Sequence, residues 1–138
     1  MKERLTIIDF VEKYTAEYAD HVFLREKVDN VWTETTYRET REQAHVIGAG
    51  LMALGMQKGE RAALLSQGRN LWVTGELGIL YAGGVNVPLS IKLEEANDLL
   101  FRIRHSDAQY IMTSEQQLPK IRKILPDCPN VKYVIVFD

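Results

Sequence analysis

The sequence predicts an α/β fold, a mostly parallel sheet with helices on both faces, preceded by a helix and a β-hairpin. Four short apolar runs, Arg61–Ser66, Val85–Leu89, Gln109–Thr113 and Val131–Phe137, alternate with segments that read as helices. That order is the signature of βαβ crossovers, and hence of parallel strands. Two of the runs, Ala62-Ala63-Leu64-Leu65 and Val134-Ile135-Val136-Phe137, are continuously apolar rather than alternating, as strands covered on both faces require. Residues 1–36 have a different rhythm, one amphipathic helix and then two β-rich runs. We therefore read 1–138 as one unit, a helix plus hairpin over 1–36 and βα repeats over 37–138.

The first helix is predicted over Ile7–Ala19, with Thr6 as N-cap and Ile7, Val11, Tyr14 and Tyr18 sharing one face. Val22–Val28 and Val31–Thr35 flank Asp29-Asn30, two residues that tolerate the positive φ of a type I′ hairpin turn. A long helix follows over Tyr37–Leu54. Thr36 and Glu39 have capping-box spacing, Ala44, Ile47, Gly48, Leu51 and Leu54 form the inner face, and Gly55 supplies a left-handed stop. Helices are then expected over Asn70–Ala82, Leu93–His105 and Ser114–Leu125, the last irregular near Pro119.

Composition excludes several classes. The formal net charge of −2 offers no basic footprint for nucleic acid. A single cysteine, Cys128, rules out an intrachain disulfide and so a disulfide-stapled secreted module. The opening Met1-Lys2-Glu3-Arg4 carries mixed charge, and Asp9 and Glu12 interrupt the apolar stretch after it, so no signal peptide is read and a cytoplasmic location is expected. The most apolar segment, Leu71–Leu89, contains Glu76, Asn86 and several glycines, and reads as a buried helix running into a strand rather than a membrane span.

Candidate chemical motifs are few. Gly48-Ala49-Gly50-Leu51-Met52-Ala53 matches the dinucleotide pattern G-x-G-x-x-G/A, which needs a strand immediately before it. The residues before it, Arg38–Ala44, are polar and helix-forming, so small residues for close helix packing are the better reading. Gly50 and Gly55 have phosphate-loop separation, but Met56-Gln57 stands where Lys-Ser/Thr is needed. Glu76 in an apolar helix is a carboxylate that burial could convert to an acid or base; pairing, with Arg69 one candidate, is the simpler reading. His21, His45, His105 and Cys128 lack metal-ligand spacing. Ser66 and Ser90 follow strands without a G-x-S-x-G elbow. Arg102, Arg104, Lys120, Arg122 and Lys123 suit an anionic lipid or phosphate, though a solvated helix face explains them.

Four segments taken in order resemble the AMP-forming acyl-CoA synthetases of the adenylate-forming superfamily, especially bacterial long-chain fatty acid–CoA ligases. They are Trp32–Glu39, Gly50–Arg61, Trp72-Val73 through Leu77–Leu89, and Ile124-Leu125-Pro126 with Val131–Asp138. The resemblance implies part of the N-terminal domain of such an enzyme, which joins a carboxylate to AMP from Mg-ATP and then transfers the acyl group to coenzyme A. It also implies a Ser/Thr/Gly-rich phosphate loop, a metal-binding acid, a ribose-binding aspartate and a catalytic lysine, none of which this sequence contains. No catalytic, cofactor-binding or metal-binding residue is therefore assigned here. ATP, Mg and coenzyme A are expected of a longer parent, and the chain alone is expected to be an inactive, incomplete unit.

Its expected partners are the remainder of that enzyme, or a second copy through a truncated sheet. Phe101, off the apolar face of its helix, is one candidate contact. Peripheral membrane contact stays open. The alternatives are a non-catalytic α/β interaction module, a ligase for another carboxylic acid and a small Rossmann-type nucleotide binder.

Overall fold

A computed structural model describes residues 4–138; Met1–Glu3 lie outside the described residues. The order is α1 (Ile7–Tyr18), β1 (Val22–Val28), β2 (Val31–Thr36), α2 (Tyr37–Ala53), β3 (Arg61–Leu65), α3 (Asn70–Tyr81), β4 (Val85–Leu89), α4 (Ala96–His105), β5 (Tyr110–Thr113), α5 (Leu118–Ile124) and β6 (Tyr133–Val136). Short 3₁₀ turns flank α5 at Glu115–Gln117 and Leu125–Asp127, and Pro119 sits in its first turn, where a missing N–H costs nothing.

Local chemistry sets most boundaries. Thr6 with Asp9, and Thr36 with Glu39, form reciprocal capping boxes. Asp29 and Asn30 adopt φ of 48° and 64°, the left-handed pair that a type I′ turn demands. Gly55 closes α2 at φ 95°, and Met56 donates its N–H to Leu51.

The sheet is parallel, in the order β4-β3-β5-β6. Alternate residues of β3 feed two cores. Ala63 and Leu65 meet Leu99, Ile103, Ile121 and Ile124 of α4 and α5 on one face. Ala62 and Leu64 meet Leu51 and Ile79 of α2 and α3 on the other. All four β3 residues are fully buried, and each leucine contributes roughly 1.5–3 kcal/mol.

On the second face the tightest approach is α2 against α3. A Cβ at Gly48 would lie 3.0 Å from the Gly78 carbonyl, and one at Gly78 would lie 2.7 Å from Ile47 Cβ and 3.2 Å from the Ala44 carbonyl. The glycines of the apparent dinucleotide pattern thus lie inside α2, and Gly48 is there for packing.

Four expectations are corrected. The face of α1 is not a buried stripe: Ile7, Tyr14 and Tyr18 are all exposed, and Thr15 is the one buried residue of the helix. Leu54, the C-cap residue of α2, is likewise exposed, at an open groove it lines with Ile47 and Leu51. Helix α4 starts at Ala96 rather than Leu93, since Leu93 closes a turn onto the Ser90 carbonyl and Glu94 is drawn to Lys120. Strand β6 is an edge, with Tyr133 and Val136 exposed, so its apolar run is covered on only part of its surface.

Gly78→Ala should cost about 1–3 kcal/mol through overpacking against Ile47. Gly50→Ala, a helical position with open space around it, should stabilise by about 0.5–1 kcal/mol. Urea denaturation of the two variants checks both signs.

Candidate functional site

Helix α3 leads from β3 to β4 and α4 leads from β4 back across to β5, and the two helices lie on opposite faces. Helix α5, which leaves β5 for β6, lies on the same face as α4, so the crossovers that leave β3 and β5 diverge between their carboxyl ends. In open α/β sheets this switch point leaves the crevice in which ligands sit.

Its floor is built from neutral polar groups. Thr113 donates its hydroxyl to the Leu65 carbonyl at 3.0 Å, and the Ser114 hydroxyl donates to Gln67 Oε1 at 2.7 Å. Ser66 donates to the Gln67 carbonyl at 3.1 Å. Ser66, Thr113 and Ser114 are all buried. Gln117 Oε1 is buried without a partner among the described residues.

The cation nearest this floor in sequence, Arg69, is ion-paired with Asp138, and its guanidinium lies 6.0 Å from the Phe137 ring centre. Asp138 also accepts from the Glu115 N–H, and that bond, then Arg69, holds its carboxyl below the ordinary value of 3.8. The start of α3 is occupied as well: Arg69, its N-cap, makes no side-chain cap, and Glu26 of β1 accepts from the Asn70 N–H at 2.6 Å. Asn70 in turn donates to Thr35 at 3.0 Å. A carboxylate on the Asn70 N–H, which has no partner within the helix, suits the positive end of α3.

The other sequence candidates scatter. Glu76 is half-buried and accepts from Asn86 at 3.0 Å; Arg69, offered as its partner, is committed to Asp138. Cys128 is buried, its thiol 3.4 Å from the Ile124 carbonyl, and burial followed by Asp127 pushes it above its ordinary value, away from nucleophile chemistry. The Ser90 hydroxyl accepts from the Lys92 N–H at 3.2 Å. Lys120 is not a free cation: it donates to the Ile91 carbonyl at 2.7 Å and to Glu94 at 3.0 Å. Phe101 is exposed and stacks on His105 at 5.2 Å between ring centres. No group of three His, Cys, Asp or Glu able to hold a metal occurs among the described residues.

One cluster was not foreseen. Glu12 of α1 meets Arg41 and His45 of α2 and Tyr81 of α3. Arg41 and His45 share a helix face by their spacing, but nothing local announces Glu12 and Tyr81, which are 69 residues apart.

Fold and crevice together define an open α/β protein of the kind that seats ligands at the carboxyl ends of its strands. The AMP-binding enzyme family model matches residues 11–138, and the chain belongs to that family. A long-chain-fatty-acid–CoA ligase of Mycobacterium bovis is 26% identical over 133 residues, covering 89% of this chain and 22% of its own length. A medium/long-chain-fatty-acid–CoA/3-oxocholest-4-en-26-oate–CoA ligase of Mycobacterium marinum is 28% identical over 103 residues, 75% of this chain and 18% of its own.

Among solved structures, an anthranilate CoA ligase in complex with anthranoyl-AMP superposes with a TM-score of 0.87 at 23% identity, over 99% of this chain and 26% of its own. A benzoate CoA ligase from Burkholderia xenovorans gives 0.82 at 23% identity, over 98% and 26%. At such identities the likeness is one of fold. This chain spans about a fifth of the length of the curated relatives it matches.

Glu26→Ala should uncap α3 and cost about 1 kcal/mol, and Glu26→Gln, which keeps an acceptor, should cost less. Thermal unfolding at neutral pH would read the difference.

Proposed function

We propose that this chain is the N-terminal scaffold of a fatty acid–CoA ligase, an enzyme that converts a carboxylate, ATP and coenzyme A to acyl-CoA, AMP and pyrophosphate. Its support is the family match over 11–138, together with relatives described as fatty-acid–CoA ligases. The residues at the switch point do not fit a metal-bound triphosphate. The Ser114 hydroxyl is spent on the Gln67 amide oxygen and the Ser66 hydroxyl on a backbone carbonyl, and Arg69 is neutralised by Asp138. Stabilising the charge that develops between a carboxylate and an α-phosphate requires cations or converging N–H donors aimed at the reacting oxygens. In this reading Ser66, Gln67 and Ser114 form a floor, and the groups that grip ATP, Mg and coenzyme A belong to a longer parent.

Aryl-acid ligases share the fold at comparable TM-scores, so a ligase for another carboxylic acid is the second reading. A non-catalytic interaction module is the third. A groove beside β6, lined by Ile47, Leu51, Leu54, Met112, Ile135 and Phe137, is the surface through which the remainder of the enzyme or a second copy would pack.

ATP–pyrophosphate exchange is the direct assay. The 138-residue chain should give no exchange with any acid. A protein extending this chain through a phosphate loop should exchange with fatty acids in preference to benzoate or anthranilate. Exchange by the short chain would overturn the scaffold reading, and preference for aryl acids would favour the second. Sedimentation of the chain at high concentration should show species larger than a monomer; a clean monomer would count against the groove as a self-association surface.

A further inference from the structure

Helix α1 is attached unevenly. Its C-terminal end is tied down: the Arg38 N–H donates to the Ala19 carbonyl at 3.0 Å, the Tyr37 N–H to His21 at 3.1 Å, and the Arg38 guanidinium to Asp20 at 2.9 Å. Along its length the apolar contact does not close. A cavity of about 230 Å³ lies between Phe10 and Tyr14 of α1 and Phe23, Tyr37 and Thr40 of the body. The space opens to solvent and leaves Phe10 and Tyr14 exposed, so little apolar surface is buried here and this interface holds weakly. Phe10 and Tyr14 instead stack along α1, their ring centres 6.3 Å apart.

The polar contact in the middle of α1 is of another quality. Glu12 accepts from the Tyr81 hydroxyl at 2.6 Å and from Arg41 Nε at 2.8 and 2.9 Å, and His45 Nε2 lies 3.3 Å away. One carboxylate is thus the shared partner of two other helices.

We propose that α1 is a strap, hinged at Ala19–His21 and clasped by Glu12, that detaches as a unit without unfolding the sheet. Three observations fit together. The capping box of Thr6 and Asp9 lies wholly within α1, so the donors at its start are satisfied whether or not it is docked. The hinge bonds fall after the helix ends. The clasp is charged at neutral pH: burial works to raise the Glu12 carboxyl, but the bonds from Tyr81, Arg41 and His45 outweigh it and hold it below its ordinary value of 4.5. Segments with few buried contacts open at lower free energy than the core they rest on.

Native-state hydrogen exchange on the 138-residue chain tests the strap. The amides of α1 should exchange together, faster than those of β3 and β5. Glu12→Gln keeps the shape and removes the charge. It should speed exchange across α1 by about tenfold while β3, β5 and α3 hold their rates. Tyr81→Phe, which deletes one donor from the other side, should move α1 in the same direction, and it supplies the reading if Glu12→Gln fails to fold. Unchanged α1 exchange in the variant, or a parallel rise in β3 and β5, would overturn the proposal.

Discussion

Two helix backbones meet at Gly48 and Gly78, and the arrangement of this protein follows from how close they come. With no Cβ on either side, Ile47 can lie across Gly78, and α2 and α3 cover one face of β3 and β5 as a single layer. The first turn of α2 then sits where β2 delivers it, and Glu26 of the hairpin reaches the first turn of α3. Tyr81, three residues beyond Gly78, meets the carboxylate of Glu12. A wider spacing would separate the sheet from everything that precedes it.

What could be read from the sequence was local. The N-cap at Thr6, the capping box at Thr36, the turn at Asp29-Asn30 and the stop at Gly55 each depend on residues within a few positions, and each is present in the structure. The alternation of apolar strands and helices gave the parallel sheet for the same reason. What could not be read depended on which face found a partner. Periodicity marks the apolar side of α1 but not whether the body fills the space against it, and the continuous run at β6 does not reveal how much of its two faces is covered. The partner of Arg69 is 69 residues away, as is Tyr81 from Glu12, and no pattern in one sequence encodes such pairs. The glycines of α2 show a different limit: the dinucleotide pattern and a close helix crossing use the same letters, and only the helix-forming residues before Gly48 separate them.

The functional site was legible as a shortage. The switch point lies where the topology requires, and its floor is ordered by Thr113, Ser114 and Gln67, but the Ser114 hydroxyl is spent on Gln67 and that of Thr113 on the Leu65 carbonyl. Membership of the AMP-binding enzyme family and the neutral floor are compatible if the site is assembled from more chain than these residues supply. The proposed scaffold role rests on that division of labour: the sheet would fix where a ligand sits, and charges from elsewhere would hold it.

Titration of the 138-residue chain with Mg-ATP, followed residue by residue by NMR, tests that division most directly. No saturable shift is expected at Ser66, Gln67 or Ser114 up to millimolar nucleotide. Saturable shifts at those three residues, with a Kd below about 1 mM, would contradict it.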